Sequence, residues 1–507
     1  MKARTLHEVE KMDKKYILAI DRGQSEIKVA YYNLAAEAVC IEARRCQPII
    51  RRAPGWAEQD MDLMWEQTVL AIRGLFRKSG ISPQKVAAVS FCGQGGGNFL
   101  VSEGGNAIYP GVLSMDSRHE EVMGSITKSA GMEIPRTAAF MLWLKKKEPG
   151  VFRKVRWLFG SKDWLRYRLT GKANADMSDP PIPADLDTGE YDTKCLEEAG
   201  LRECIRMLPP LVYASEVCAT VTEEAAKITG LEAGTPVVAG AHDMIACSVG
   251  SGGNRQGHLT IIMGTLGINI AVADRNTELP GIQVRGESFV FGGITRELKA
   301  VTTSVGSGCS TMNWFLDMMF TLEEQEAQQR GISIFELLEE RLAGRVPSSV
   351  VFQPYLMGTF YNSSAKAGLF GISAHTSRED ILLALYQGIC ISMCLEIKKL
   401  ESRVQKFREI WMTGGGSQSR IWGQMFADVL RRPVHICKDS EAGCRGAAIC
   451  AGVALGHYTL QEGFPMPGAA LTYLPREDLA GAFDRQMKLY EEAYGMSERF
   501  WRRQKDI

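Results

Sequence analysis

The chain has 507 residues, with 59 Lys and Arg against 59 Asp and Glu and so no net formal charge. That argues against a general polyanion binder. The length exceeds what one hydrophobic core supports, so two or more domains are expected, and 45% hydrophobic with 23% charged residues is ordinary for a globular protein.

Thirteen scattered cysteines form no C-x-x-C pair. Several stand inside apolar runs (Cys247, Cys390, Cys394, Cys450), which suits reduced thiols in a cytoplasmic protein better than disulfides or a structural zinc site. The first thirteen residues are charged and lack the apolar core of a signal peptide. No run of about 18 apolar residues reads as a membrane span.

Tyr16-Ile17-Leu18-Ala19-Ile20 is a short apolar run that predicts a strand ending at Asp21. Asp21-Arg22-Gly23-Gln24-Ser25 is a turn, and Ile27 to Tyr32 predicts the second strand of a hairpin. A carboxylate beside Gly and hydroxyl donors suits a phosphate with its Mg²⁺, although a plain turn has the same composition. Asp60 precedes a helix over 61–78 with apolar residues at helical spacing (Met64, Val69, Ile72, Leu75). Val86 to Phe91 predicts a buried strand. Gly95, Gly96 and Gly97 follow Gln94, and glycines there leave a groove open to a ligand or to another backbone. Ser114, Asp116 and Arg118 either line that groove or pair with one another. Ser161-Lys162-Asp163 opens a helix to Thr170, and 177–191, with Asp179-Pro180-Pro181-Ile182-Pro183, is a loop.

Val237-Val238-Ala239 predicts a buried strand that breaks at Gly240. Asp243 then stands between that strand and a small-residue helix, the usual place for a catalytic group in an α/β protein. Two readings remain open for it, a general base and a helix cap. Leu259 to Val272 repeats the strand, glycine turn, strand layout of Ile17 to Tyr31 about half a chain later, which points to a duplicated domain. Thr302 to Gly308 precedes a helix whose N–H groups suit an anion. Ile410-Trp411-Met412, then Thr413-Gly414-Gly415-Gly416, then a helix over 420–429, is a nucleotide-loop layout without the Walker pattern. The chain ends in a charged amphipathic helix over 480–501, expected on the surface.

Taken in order, these segments resemble the FGGY carbohydrate kinase family over roughly residues 15–460. The carriers are Asp21-x-Gly23 with Lys28, Gly93-Gln94, Gly264-Thr265 and Thr413-Gly414-Gly415-Gly416. Lys162 to Gly171 and Pro354-Tyr355-Leu356-Met357-Gly358 add to them. Pro54-Gly55-Trp56-Ala57-Glu58 and Glu441 to Ala448 are similar to pentulose kinases, especially L-xylulose kinases.

The resemblance implies two α/β domains of the ribonuclease H-like, actin-like ATPase fold with a cleft between them. It sets a sugar-side domain at 14–256, a nucleotide-side domain at 257–460 and a helical extension at 461–507. It implies ATP and Mg²⁺ as cofactors and a small sugar, most similar to L-xylulose or D-xylulose, as acceptor. Asp243 would be the catalytic base. Asp21, Gly23, Ser25 and Lys28 would lie at the phosphate, with Mg²⁺ near Asp21 and Asp243 through water. Gly264, Thr265, Gly308, Asn313, Gly415, Gly416 and Ser419 would hold the nucleotide. Gln94, Gly95, Gly96, Asp116 and Asp243 would face the sugar. No nucleic-acid or membrane partner is expected, and a homodimer is allowed.

Four departures bear on the substrate. Gln24 stands where Thr or Ser is usual, Phe140 where many members have Lys, Gly95 and Gly96 where pentulose kinases carry larger side chains, and His242 where a small residue is common. The two glycines imply a wider sugar pocket. Erythritol, glycerol, a hexulose or a linear signalling sugar is then the alternative acceptor, and a catalytically silent sensor is the alternative from another class.

Overall fold

Tyr16–Arg22 (β1) and Glu26–Asn33 (β2) pair antiparallel across the turn at 23–25. Ala38–Arg45 (β3) extends the pair. Ile17 to Ile20 are wholly buried, as a strand covered on both faces requires. The structure is a computed structural model that describes residues 14–122, 135–253, 255–279, 289–345, 347–359, 362–460 and 462–504. The charged first thirteen residues lie outside these.

Met61–Ser79 (α1) packs on β2 and β3 through Met64, Trp65, Ile72 and Leu75. It begins where the Asp60 carboxylate accepts the N–H groups of Asp62 and Leu63, and it stops at left-handed Gly80. Val86–Gly93 (β4), buried along its whole length, runs parallel to β1. Arg136–Lys147 (α2), Ser161–Thr170 (α3), Val217–Thr220 (β5), Pro236–Val238 (β6), Ala241–His242 (β7) and Asp243–Gly250 (α4) follow. The sheet order is β5-β6-β4-β1-β2-β3, with β7 also on β4.

The second sheet repeats this plan. His258–Met263 (β8) and Gly267–Asp274 (β9) form an antiparallel hairpin. Leu298–Ser304 (β10), Cys309–Met319 (α5) and Arg378–Arg403 (α6) come next. Glu409–Thr413 (β11) is parallel to β8, Arg420–Leu430 (α7) follows, and Val434–Cys437 (β12) is parallel to β11. After Ala442–Ala454 (α8), Ala469–Tyr473 (β13) pairs with β12, and Ala480–Gln504 (α9) ends the fold. In each sheet the first hairpin strand takes a parallel neighbour and then another, β2-β1-β4-β6 and β9-β8-β11-β12. The duplication read from the two hairpins therefore extends to the sheets.

The chain forms two compact units, which divide it differently from the expected domains. The first unit takes the chain up to Gly250, then Phe291–Lys299 and Glu441–Pro465; the second takes Ser251–Val290, Ala300–Ser440 and everything from Met466. Residues 441–460 thus pack with the first unit, because the small-residue helix α8 lies on α4, β1 and β4. The expected extension at 461–507 is not separate. β13 is a strand of the second sheet, and Phe483, Met487, Tyr490 and Trp501 of α9 belong to the second core.

α6 is long and apolar enough to cross a membrane by length and composition, contrary to the reading of the bare sequence. Its apolar window is 83% buried inside the protein, which a core helix explains.

Candidate active site

Two carboxylates meet at the strand ends of the first unit. Asp21 ends β1 opposite Lys28 on β2 and beside Cys92 on β4. Burial first, and the charge of Asp243 second, push its carboxyl up to about 6. Asp243 opens α4 directly after β7. The chain reaches it through Gly240 at φ +75°, where a Cβ would stand 1.8 Å from the Phe91 carbonyl oxygen; only glycine lets the backbone cross β4 there. Ala241 and His242 then pair with Cys92 and Gly93.

Helix α8 is pressed against the same ground. A Cβ on Gly443 would come within 2.6 Å of Asp21 Oδ2. One on Gly446 would lie 1.9 Å from the Ala246 carbonyl, and one on Gly250 1.9 Å from that of Ala442. The small residues of α4 and α8 therefore let the two backbones touch, which explains their composition. Lys28 pairs with Glu441 at 2.6 Å. Burial opposes its charge, but Glu441 outweighs burial and its pKa is raised.

A buried ionic network supports the Asp243 loop. Lys162 is wholly buried, 3.4 Å from Asp163 and 3.7 Å from Asp179, and in contact with Asp176. Arg166 donates to Asp163 (2.9 Å), to the Asn174 carbonyl (2.7 Å) and to the Ala239 carbonyl (2.7 Å) just ahead of Gly240. Ser178 Oγ bonds Asp176 and accepts the His242 N–H at 2.8 Å. Desolvation pushes the Asp179 carboxyl up. At Asp176 desolvation acts the same way, but Lys162 overcomes it and holds that carboxyl low.

Gln94, the residue just past the end of β4, is 5% exposed, and neither polar atom of its amide has a hydrogen-bond partner. A buried amide with nothing to bond is costly unless a ligand completes it. Asn98 Oδ1 is unpartnered in the same way. Gly96, Asn98, Ser114, Asp116, His119, Arg136 and Phe140 line a cleft of about 220 Å³, its open mouth included. Burial first, and then Arg136, hold the His119 imidazole below its ordinary pKa.

The second unit gathers its own glycines at the end of β8. The Gly264 carbonyl accepts from Cys309 N–H and the Thr265 carbonyl from Ser310, so the hairpin turn is tied to the start of α5. A Cβ on Gly308 would stand 2.7 Å from the Gly267 nitrogen, and one on Gly416 within 2.9 Å of both Met263 and Cys309. Gly415 has open space beside it. Ser419 caps α7 by accepting the Trp422 N–H. Bare backbone thus stands around one strand end with two helix starts beside it, an arrangement suited to phosphate.

Models of the FGGY family of carbohydrate kinases match residues 16–250 with the family's N-terminal domain and 259–455 with its C-terminal domain. The chain belongs to the FGGY family of carbohydrate kinases. A probable L-xylulose kinase of Haemophilus influenzae is 28% identical, over 86% of this chain and 90% of the relative. An L-xylulose/3-keto-L-gulonate kinase of Escherichia coli K12 is 27% identical over 87% and 89%. In fold, a xylulose kinase structure from Rhodospirillum rubrum superposes with a TM-score of 0.83 at 22% identity, over 96% of this chain and all of that one.

In this kinase the residues expected from sequence fall into three sets. Asp21, Lys28, Gln94, Gly95, Gly96 and Asp243 come together in the first unit. Gly264, Thr265, Gly308, Gly415, Gly416 and Ser419 come together in the second, and Asn313 is an exposed residue of α5. Asp116 and Ser25 stand outside these two sets, and Lys28 has a partner of its own. Lys28 neutralises Glu441. Asp116 takes Arg118 in a bidentate pair (2.8 and 2.7 Å) and the Ala57 N–H at 2.6 Å, so its carboxylate braces the cleft wall. Ser25 is exposed in a turn.

The expected widening at Gly95 is also corrected. A Cβ there would fall 2.1 Å from His242 Nε2 and 2.7 Å from Asp179 Oδ1, so the imidazole fills the space. Reading the sequence assigned no role to Asp176, Asp179 or Glu441. The available signal was a Lys and an Arg, Lys162 and Arg166, on a helix otherwise rich in large apolar residues.

Proposed function

We propose that this carbohydrate kinase transfers the terminal phosphate of ATP to a hydroxyl of a pentulose such as L-xylulose or D-xylulose, with Asp243 as the general base. The observation that carries the reading is the Asp21–Asp243 pair at the strand ends beside the unpartnered Gln94 amide. A carboxylate at that point takes the proton of the attacking hydroxyl, an effect of about 10²–10⁴-fold. The unsatisfied amides of Gln94 and Asn98 suit a polyol, whose hydroxyls both donate and accept. The glycine turns around Gly264, Gly308 and Gly415 offer N–H groups to the nucleotide phosphates. The names of the two kinases related to L-xylulose support a pentulose acceptor.

Among the described residues no group of three or more His, Cys, Asp or Glu side chains is placed to hold a metal. A buried Asp21 carboxyl beside Asp243 nevertheless fits Mg²⁺, which keeps several waters and needs only one or two protein oxygens besides the phosphates. Asp21 and Asp243 would hold it, and when bound it offsets negative charge on the transferred phosphate.

The test is ADP release with Mg·ATP against L-xylulose, D-xylulose, L- and D-ribulose, erythritol and glycerol, for the wild type and Asp243→Asn. A pentulose should give the highest kcat/KM, and D243N should lose about 10²–10⁴-fold in kcat. Preference for erythritol or glycerol would move the acceptor to the polyols. Undiminished D243N would remove Asp243 as the base.

A further inference from the structure

We propose that His242 is a positioning residue for Asp243, and that Gly95 is a glycine because the His242 ring needs its space. This rests on Asp243 as the base. His242 Nδ1 lies 2.9 Å from Asp243 Oδ1. An ionised carboxylate only accepts, so the proton of that bond belongs to Nδ1. The Met244 N–H donates to the same Oδ1 at 2.6 Å. Its longer approach to Nδ1, 3.1 Å, is open only to the other tautomer. Two donors on Oδ1 fix the carboxylate and leave Oδ2 as the oxygen presented to the sugar hydroxyl.

The ring is itself held. Its backbone N–H is anchored on Ser178 (2.8 Å), and Phe291 packs against it with centroids 5.9 Å apart. Its Nε2 end and Asp179 Oδ1 crowd the point where a Cβ of residue 95 would stand. Asp179 Oδ1 in turn accepts the Gly96 N–H at 3.2 Å, and Lys162 stands 3.7 Å from Asp179 Oδ2. Residues 95 and 242 are therefore one steric unit. A side chain at 95 and a histidine at 242 exclude each other, so a larger side chain at 95, as expected of pentulose kinases, is incompatible with this way of holding the base.

The experiment is steady-state kinetics of the full chain with Mg·ATP and the best acceptor of the panel, for H242A, H242N, H242Q, G95A and the double variant G95A/H242A. Asn places its amide nitrogen where Nδ1 stands, whereas Gln reaches towards Nε2. H242A should lower kcat about 10²-fold, the scale of a misplaced catalytic group, with the sugar KM within about threefold. H242N should recover most of that loss and H242Q should not. G95A should fall as far as H242A in the wild-type background and cost nothing further in the H242A background.

The positioning role is overturned if H242A keeps kcat within threefold, or if H242N is no better than H242Q. The steric coupling is overturned if G95A costs the same in both backgrounds, since Gly95 would then act on its own. D243N separates the two readings: an active D243N refutes the base itself, whereas an inactive D243N with an unaffected H242A refutes only the role of His242.

Discussion

The raised carboxyl of Asp21 makes a prediction about stability as well as activity. Its folded pKa of about 6 stands above its ordinary value of 3.8, so the fold favours the protonated form. The contribution of this group to stability is fully present below pH 3.8 and is lost as the pH rises to 6. Above pH 6 the ionised carboxylate burdens the fold by about 3 kcal/mol, at roughly 1.4 kcal/mol for each unit of pKa. Asp21→Asn removes the charge and keeps the shape. For a cooperative unit of about 280 residues, with an unfolding entropy of roughly 2 cal/mol/K per residue, that is about 5 °C in Tm.

The assay is thermal unfolding of D21N and wild type in EDTA at pH 7.5 and at pH 5. D21N should melt about 5 °C higher at pH 7.5, and the gap should fall to about half at pH 5, where the wild type is largely protonated. D21N should also lose turnover, because a charge kept at a cost to the fold is kept for its chemistry. A gap unchanged between the two pH values, or a D21N less stable than wild type at pH 7.5, would refute the reasoning.

Two further predictions concern packing. Gly446→Ala sets a methyl about 1.9 Å from the Ala246 carbonyl, and because backbone cannot yield as a flexible side chain can, it should cost about 1–3 kcal/mol; a melting temperature equal to wild type would show that α8 shifts freely. Lys162→Met takes the cation from buried Asp176 and Asp179 and leaves Asp163 to Arg166 alone, and should cost about 3–5 kcal/mol, read as a lower Tm or insoluble protein. A K162M that melts with the wild type would mean that those carboxylates hold protons or water in place of the lysine.

What the sequence made legible was local. The β1–β2 hairpin, the glycine turns and the strand-to-helix step at Asp243 are written in neighbouring residues, as apolar runs punctuated by glycine. What it hid depends on residues far apart along the chain. Nothing near Gly95 announces that His242 and Asp179 fill its space. Nothing near Lys28 announces Glu441, more than 400 positions later. The bare sequence leaves Asp116 between lining the groove and pairing with Arg118, and the Ala57 N–H that also holds it lies 59 residues away. The packing of 441–460 with the first unit was hidden for the same reason. Apart from Arg445, α8 is apolar, and the fit of its glycines against Ala246 and Gly250, with Arg445 donating to the Ala36 and Gly250 carbonyls, sets it on the first unit.

That assignment has a consequence for how the protein comes off the ribosome. α4, which carries Asp243, is synthesised by Gly250, but the helix whose backbone rests on it begins at Ala442. At about 5–20 residues per second, roughly 10–40 s pass before α8 is made. Through that interval the Ala246 and Gly250 face of α4 lacks its cover, and the Asp21–Asp243 pair lacks the wall that Gly443 provides. The unit that holds Asp21 and Asp243 is begun first and finished late, so a nascent chain that ends between residues 251 and 441 carries both carboxylates and an open, sticky helix face.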